Sequence, residues 1–241
     1  MEDITNGLVN RWPLTANAND VVGSVHLTNN NGVTFSADGA AFNGTNQYLS
    51  ATHSRSTTAW TLSMWVKPFA TSVSTVLCSS TSNGWGFRSV TTPGTLFIAM
   101  DNSNDVHYIQ VESEYTEEKF PNTVFTHILA THDRGATTGK YYRNGSLVAT
   151  KTNTVPGTPS TAFSLGASAT GLLFWKGNIK DVRYYSRVLS AAEVAQLTAN
   201  GPNLEGQSIV KPSVGTLLTS RQPIAAILST FPATLTRGFR V

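Results

Sequence analysis

Residues 163–200 read FSLGASATGLLFWKGNIKDVRYYSRVLSAAEVAQLTAN, and the far end of this stretch carries the clearest local instruction in the chain. Ser190-Ala191-Ala192-Glu193 is a capping box: the Ser190 hydroxyl can accept from the Glu193 N–H while the Glu193 carboxylate reaches back to the Ser190 N–H. Leu189 and Val194 occupy the positions of a hydrophobic staple. Val194 and Leu197 form an apolar stripe, and Asn200-Gly201-Pro202 supplies a C-cap followed by a residue that cannot continue the helix. A helix this short is marginal alone in water, so it must dock on something larger. The rest of the stretch reads as strand, loop and strand.

Upstream, residues 61–67 (TLSMWVK) alternate cleanly, with Leu62, Met64 and Val66 on one face and Ser63, Trp65 and Lys67 on the other. A tryptophan on the polar face implies that this face is covered too. Strands are expected at 7–14, 32–35, 40–42, 61–67, 73–79, 84–90, 95–100, 106–111, 125–131, 140–143 and 147–150, with a further one leading from 43–49. Turn-rich segments separate them, and 15–31 reads as loop. Asn144-Gly145 between two β-prone runs is a hairpin signal, because both residues accept positive φ. About a dozen short strands with turns at this spacing make an all-β sandwich or barrel.

Only 13% of the 241 residues are charged and 40% are hydrophobic, which suits many strands joined by uncharged polar loops. Residues 1–203 are neutral, whereas 204–241 carry Lys211, Arg221, Arg237 and Arg240 against Glu205. A neutral domain gives no electrostatic footprint for nucleic acid. Cys78 stands alone, which excludes an intrachain disulfide and makes it a small buried hydrophobe. No run approaches the roughly 20 apolar residues of a membrane span, and MEDITNGLVNRWPL does not read as a secretory signal. Residues 204–241 are too apolar for a linker and too short for a domain. They are expected to form an extended arm that docks on partner subunits through Ile209, Val214, Leu217, Leu218, Ile224, Ile227, Leu228, Phe231, Arg237 and Phe239; the alternative is a strap on their own domain.

In order along the chain stand GLVNRWPL (7–14), AAFNGTNQYLSA (40–51), WTLSMWVKP (60–68), VFTHILATHD (124–133), KYYRNGSLVAT (140–150) and the stretch from Leu165 to Leu197. With these pieces the chain resembles the laminin-G/pentraxin-type concanavalin A-like lectin/glucanase superfamily over nearly all of residues 7–200. The resemblance implies a jelly-roll β-sandwich of two antiparallel sheets of six or seven strands, closed by one short C-terminal helix. It also implies a carbohydrate or protein ligand for many relatives. Pentraxin-like relatives hold calcium in the loop after the Leu-Gly of the final motif. Here that loop is Ala167-Ser168-Ala169-Thr170, without a carboxylate, so no cofactor is expected there. Asn46 and Gln47, or Asp101 and Asp105, could hold an ion elsewhere but read as turn residues.

Glycosidase relatives carry paired acids, which a retaining mechanism needs about 5–5.5 Å apart. The nearest candidates, Glu112, Glu114, Glu117 and Glu118, lie in what reads as an exposed excursion without aromatic shelter. The five histidines show no metal spacing, His127 reads as structural, and there is no Gly-x-Ser-x-Gly elbow. No catalytic residue is assigned. Sugar sites pair an aromatic platform with amides and carboxylates, so Trp85, Asp101, Asn104, Tyr108 and Trp175 are the ligand-binding candidates. Trp12, Trp60 and Trp65 read as core.

The function expected is a non-catalytic, lectin-like structural or surface component of a homo-oligomer or larger assembly, such as a phage virion. Residues 1–203 would be displayed and 204–241 would dock. The rivals are a free carbohydrate-binding protein facing a cell-surface glycan and a glycoside hydrolase. The expected place is a virion or particle surface, otherwise the cytoplasm or the exterior by a route without a signal.

Overall fold

The alternating run becomes the strand on which the larger sheet is centred. In the computed structural model, the residues described are 2–53, 56, 58–69, 75–80, 85–90, 94–100, 108–152, 161–168 and 172–202. All of them fall in one compact unit, Met1–Leu204. The boundary expected at 203/204 and the ten arm residues lie outside the described residues. In chain order the strands are β1 (Leu8–Trp12), β2 (Thr28–Asn30), β3 (Thr34–Ser36), β4 (Gly39–Asn43), β5 (Tyr48–Thr52), β6 (Ala59–Pro68), β7 (Thr75–Ser80) and β8 (Trp85–Val90). They continue as β9 (Thr95–Met100), β10 (Tyr108–Val111), β11 (Thr126–Asp133), β12 (Thr138–Arg143), β13 (Ser146–Thr152), β14 (Ala162–Leu165) and β15 (Lys176–Tyr185), before α1 (Ala191–Asn200).

All pairings are antiparallel. The first sheet runs β13-β12-β11-β6-β15-β4-β3 with β1 also on β15, and the second runs β10-β9-β8-β7-β14-β5-β2. This is a jelly-roll sandwich, its first sheet one strand wider than expected. Strand β15 has one edge on β6 and shares its other between β4, over 176–179, and β1, over 182–185. At that handover Asp181 adopts φ 47° and its N–H donates to the Pro13 carbonyl at 3.0 Å, which breaks the register with β6. Its carboxylate accepts from Arg183 Nη2 and Arg11 Nε, both at 2.7 Å, so the bulge is neutralised where it is buried.

Between the sheets, Leu62, Met64 and Val66 of β6 meet Trp12, Trp60, Phe87, Leu96, Ile98, Phe163 and Trp175 in one buried cluster. Each large side chain so buried contributes about 1.5–3 kcal/mol. Cys78 lies in the same cluster, where burial pushes its thiol up to about 12. The outer face of the first sheet is covered as Trp65 foretold, for Leu129, Tyr142 and Tyr185 pack under Leu189, Val194 and Leu197. Trp65 itself stacks on His127 with centroids 4.8 Å apart.

Both bonds of the capping box form: Ser190 N–H donates to Glu193 Oε2 at 2.7 Å and Glu193 N–H to Ser190 Oγ at 3.2 Å. Gly201 follows at φ 69°, donating its N–H to the Thr198 carbonyl at 3.0 Å. Asn144 and Gly145 both take positive φ, 47° and 80°, as the hairpin between β12 and β13 requires. One segment differs from expectation. Residues 28–30, read as loop, form the edge strand β2, and Asn29 closes the following turn by exchanging two bonds of 2.8 Å with the Val33 backbone.

Candidate functional site

Two of the five ligand candidates, Trp85 and Tyr108, belong to one end of the second sheet. Trp85 opens β8 opposite Met100, the last residue of β9, and Tyr108 opens β10 opposite Ala99. Asp101 and Asn104 belong to the connection between β9 and β10, outside the described residues. Of the residues that follow them, Phe87 and Ser89 on β8 are buried, whereas Gln110 on β10 is exposed. Arg88 and Gln110 are thus exposed on β8 and β10, on either side of β9, with Gln110 Nε2 donating to Glu112 at 3.3 Å. Trp175 is a correction. It is fully buried, with its ring 6.1 Å from Tyr115, and has no face to offer a ligand.

The acidic excursion is a second correction. Only its outer residues face solvent; Tyr115 and Phe120 turn into the core with rings 5.1 Å apart. Glu114 is buried with them. Its Oε1 accepts from Tyr141 Oη at 3.1 Å and pairs with Arg143, while Lys119 Nζ lies 3.4 Å from Oε2. Apolar neighbours draw the segment inward, and two cations make the carboxylate's burial tolerable. What shields this carboxylate from a substrate is its burial at 1% exposure between the two cations, whereas Glu112 beside it is exposed.

His127 is structural, as expected. Thr198 Oγ1 donates to Val194 O at 2.9 Å, so it accepts from His127 Nδ1–H at 2.7 Å, and Nε2 then accepts from Ser63 Oγ at 2.8 Å. Burial holds this imidazole neutral, down to about 3. The chain Ser63–His127–Thr198–Val194 ties sheet to helix.

In the loop after Gly166, the described oxygens are engaged within the loop. Ser168 Oγ accepts from the Leu172 N–H at 2.9 Å, and the Ala167 carbonyl accepts from Ser164 Oγ at 2.7 Å. Sequence adds no carboxylate at 167–175, and a hard cation needs several charged oxygens. What the loop displays is apolar: Leu172 is 63% exposed and Leu173 44%, with Leu173 at φ 56°. For a leucine that backbone costs about 1–3 kcal/mol. Phe69, 47% exposed, donates its N–H to the Lys176 carbonyl at 3.0 Å, and Phe174 sits 6.4 Å from Tyr48. The sequence did hold a signal for this surface. Leu172-Leu173-Phe174-Trp175 are four apolar residues in a row, and a strand burying alternate residues cannot hide them all. Asn46 and Gln47, at the neighbouring turn, bond within the turn: Asn43 Oδ1 accepts from both backbone N–H groups.

Residues 43–195 match the family model described as the Concanavalin A-like lectin/glucanases superfamily. No match was found among curated proteins. Among solved structures, the binding domain of botulinum neurotoxin serotype D has a TM-score of 0.65 at 12% identity, over 83% of this chain and 53% of that one. The binding domain of botulinum neurotoxin DC in complex with SialylT scores 0.64 at 14%, over 82% and 52%. Domain 4 of AbnA, a GH43 extracellular arabinanase from Geobacillus stearothermophilus, in complex with arabinotriose, scores 0.61 at 22%, over 79% and 98%. Identities this low speak for the fold alone, and the chain spans about half the length of the toxin binding domains.

Proposed function

The chain belongs to the concanavalin A-like lectin/glucanase superfamily, and on that premise we propose that its sandwich is a non-catalytic, lectin-like domain that holds a glycan. The observation that carries this reading is Glu114. The one inward carboxylate of the acidic excursion is spent on Arg143, Lys119 and Tyr141, where hydrolysis would need it free beside a second acid. Support for the ligand class comes from the arabinanase domain, a similar sandwich that carries arabinotriose. The test is migration of the protein through gels containing polysaccharides, with reducing ends assayed in parallel. Retardation without new reducing ends is expected. Release of reducing ends would make it an enzyme, and no retardation in any gel would remove the glycan.

A second role rests on the contrast between a neutral sandwich and the basic, apolar residues 204–241. In this reading the segment docks the sandwich on protein subunits, as a surface component of an assembly such as a phage virion. Light scattering on the full chain and on a chain ending at Gly201 tests it. An oligomer that becomes a monomer on shortening is the expected result; two monomers would end the self-assembly reading.

A further inference from the structure

We propose that the outer face of the first sheet, where Lys67, Asn178 and Lys180 stand around the Phe125 ring, is a binding site for a carboxylate group. The proposal does not depend on the glycan reading, because it concerns the other sheet from Tyr108 and a charged ligand.

The strands bring these side chains together. Val66 and Ile179 are buried between the sheets, so their neighbours Lys67, Asn178 and Lys180 point to the other face. Register sets Asn178 opposite Lys67 and Lys180 opposite Trp65, which places the amide beside both ammonium groups. The half-buried Phe125 ring joins them, with its centroid 4.2 Å from Lys180 Nζ and 5.0 Å from Lys67 Nζ.

Two of these groups are buried and short of partners. Lys180 is 5% exposed, yet among the described residues its ammonium has no ion pair and one long hydrogen bond, to the Ala37 carbonyl at 3.4 Å. Asn178 is 6% exposed, and its amide makes no hydrogen bond among the described residues. An ammonium has three donors and an amide two more, so most of this capacity is unused where burial makes that costly. The face already accepts one carboxylate: Asp38 Oδ2 lies 3.1 Å from Lys67 Nζ, on an exposed side chain that can give way. Asp181, the other carboxylate that acts on Lys180, is held by Arg183 and Arg11. Two ammonium groups against Asp38 leave one positive charge, which matches a carboxylate better than a doubly charged phosphate. One carboxylate oxygen would take the Lys180 ammonium and the other the Asn178 amide.

The test follows the Asn178 side-chain amide by NMR while the full chain is titrated with acetate, with a short glutamate-rich peptide and with its glutamine counterpart. A saturable shift with acetate or the glutamate peptide, and none with the glutamine peptide, is expected. A response to acetate would mean that a free carboxylate suffices; a response to the peptide alone would assign the site to an acidic protein segment. Lys180→Met is expected to weaken binding about tenfold while the melting temperature holds or rises, since methionine keeps the packing without a buried charge. Asp38→Asn is expected to strengthen binding by removing the competing carboxylate, and Lys151→Met, on an exposed strand, to change nothing. No shift with either carboxylate, the same shift with sodium chloride, or unchanged affinity in a folded Lys180→Met would overturn the site.

Discussion

His127 and His53 show how single buried side chains set the conditions under which this sandwich holds. His127 is clamped between Ser63 and Thr198; His53 gives its Nε2 to Asn10 Oδ1 at 2.8 Å while Asn10 Nδ2 donates to Asp20 at 2.6 Å. Burial pulls both imidazoles down from 6.5, to about 3 and about 4. In the unfolded chain they titrate near 6.5, so below that pH unfolding takes up protons and the stability present above it is lost as the pH falls. Each histidine contributes a slope of about 1.4 kcal/mol per pH unit until its folded value is reached. Urea unfolding between pH 6.5 and 4 is expected to show a loss corresponding to about two protons. A flat profile across that window would mean that neither histidine is buried neutral. Glu193 acts lower. Arg187 first, then Ser190, hold it down to about 2, so its contribution is present above 4.5 and lost as the pH falls toward 2.

Helix α1 is held at its start by local chemistry and along its length by a distant sheet. Ser190→Ala removes one of the two capping bonds and is expected to cost about 1 kcal/mol in urea unfolding. A cost near zero would show that the Arg187–Glu193 pair, with Arg187 Nη1 donating to Oε2 at 2.9 Å, orients the helix unaided. Features of this kind were legible because their partners lie within a few residues. The capping box spans three, the Asn144-Gly145 turn two, and the alternation of β6 announces its buried face residue by residue. The excursion at 112–119 was misread because acidic composition signals solvent, whereas the groups that neutralise Glu114 include Arg143, 29 positions away. Strand β2 was missed because its three residues owe their place to β5 and to the Asn29 amide. Trp175 and a sugar platform look alike in sequence; only the packing of Tyr115 against it separates them.

In the whole molecule, the two faces of the first sheet divide the labour. Its inner face carries the aromatic core shared with the second sheet, and its outer face carries α1 and the polar chain through His127. Among the described residues, the second sheet exposes Arg88 and Gln110, and Leu172 and Leu173 are exposed before β15. The family could be read from the order of its motifs, since spacing and alternation survive where loop chemistry changes. The ligand could not, since loop residues can change their chemistry without disturbing the spacing and alternation of the strands. One further consequence lies in time. Strand β15, the last of the described strands, sits in the middle of the first sheet between β6 and β4, and it is the partner of the first strand, β1. A ribosome adding about 5–20 residues per second needs roughly 10–40 s to reach Tyr185. Until then the sheet has a gap at its centre and the first strand waits unpaired, so the fold is closed by its final stitch.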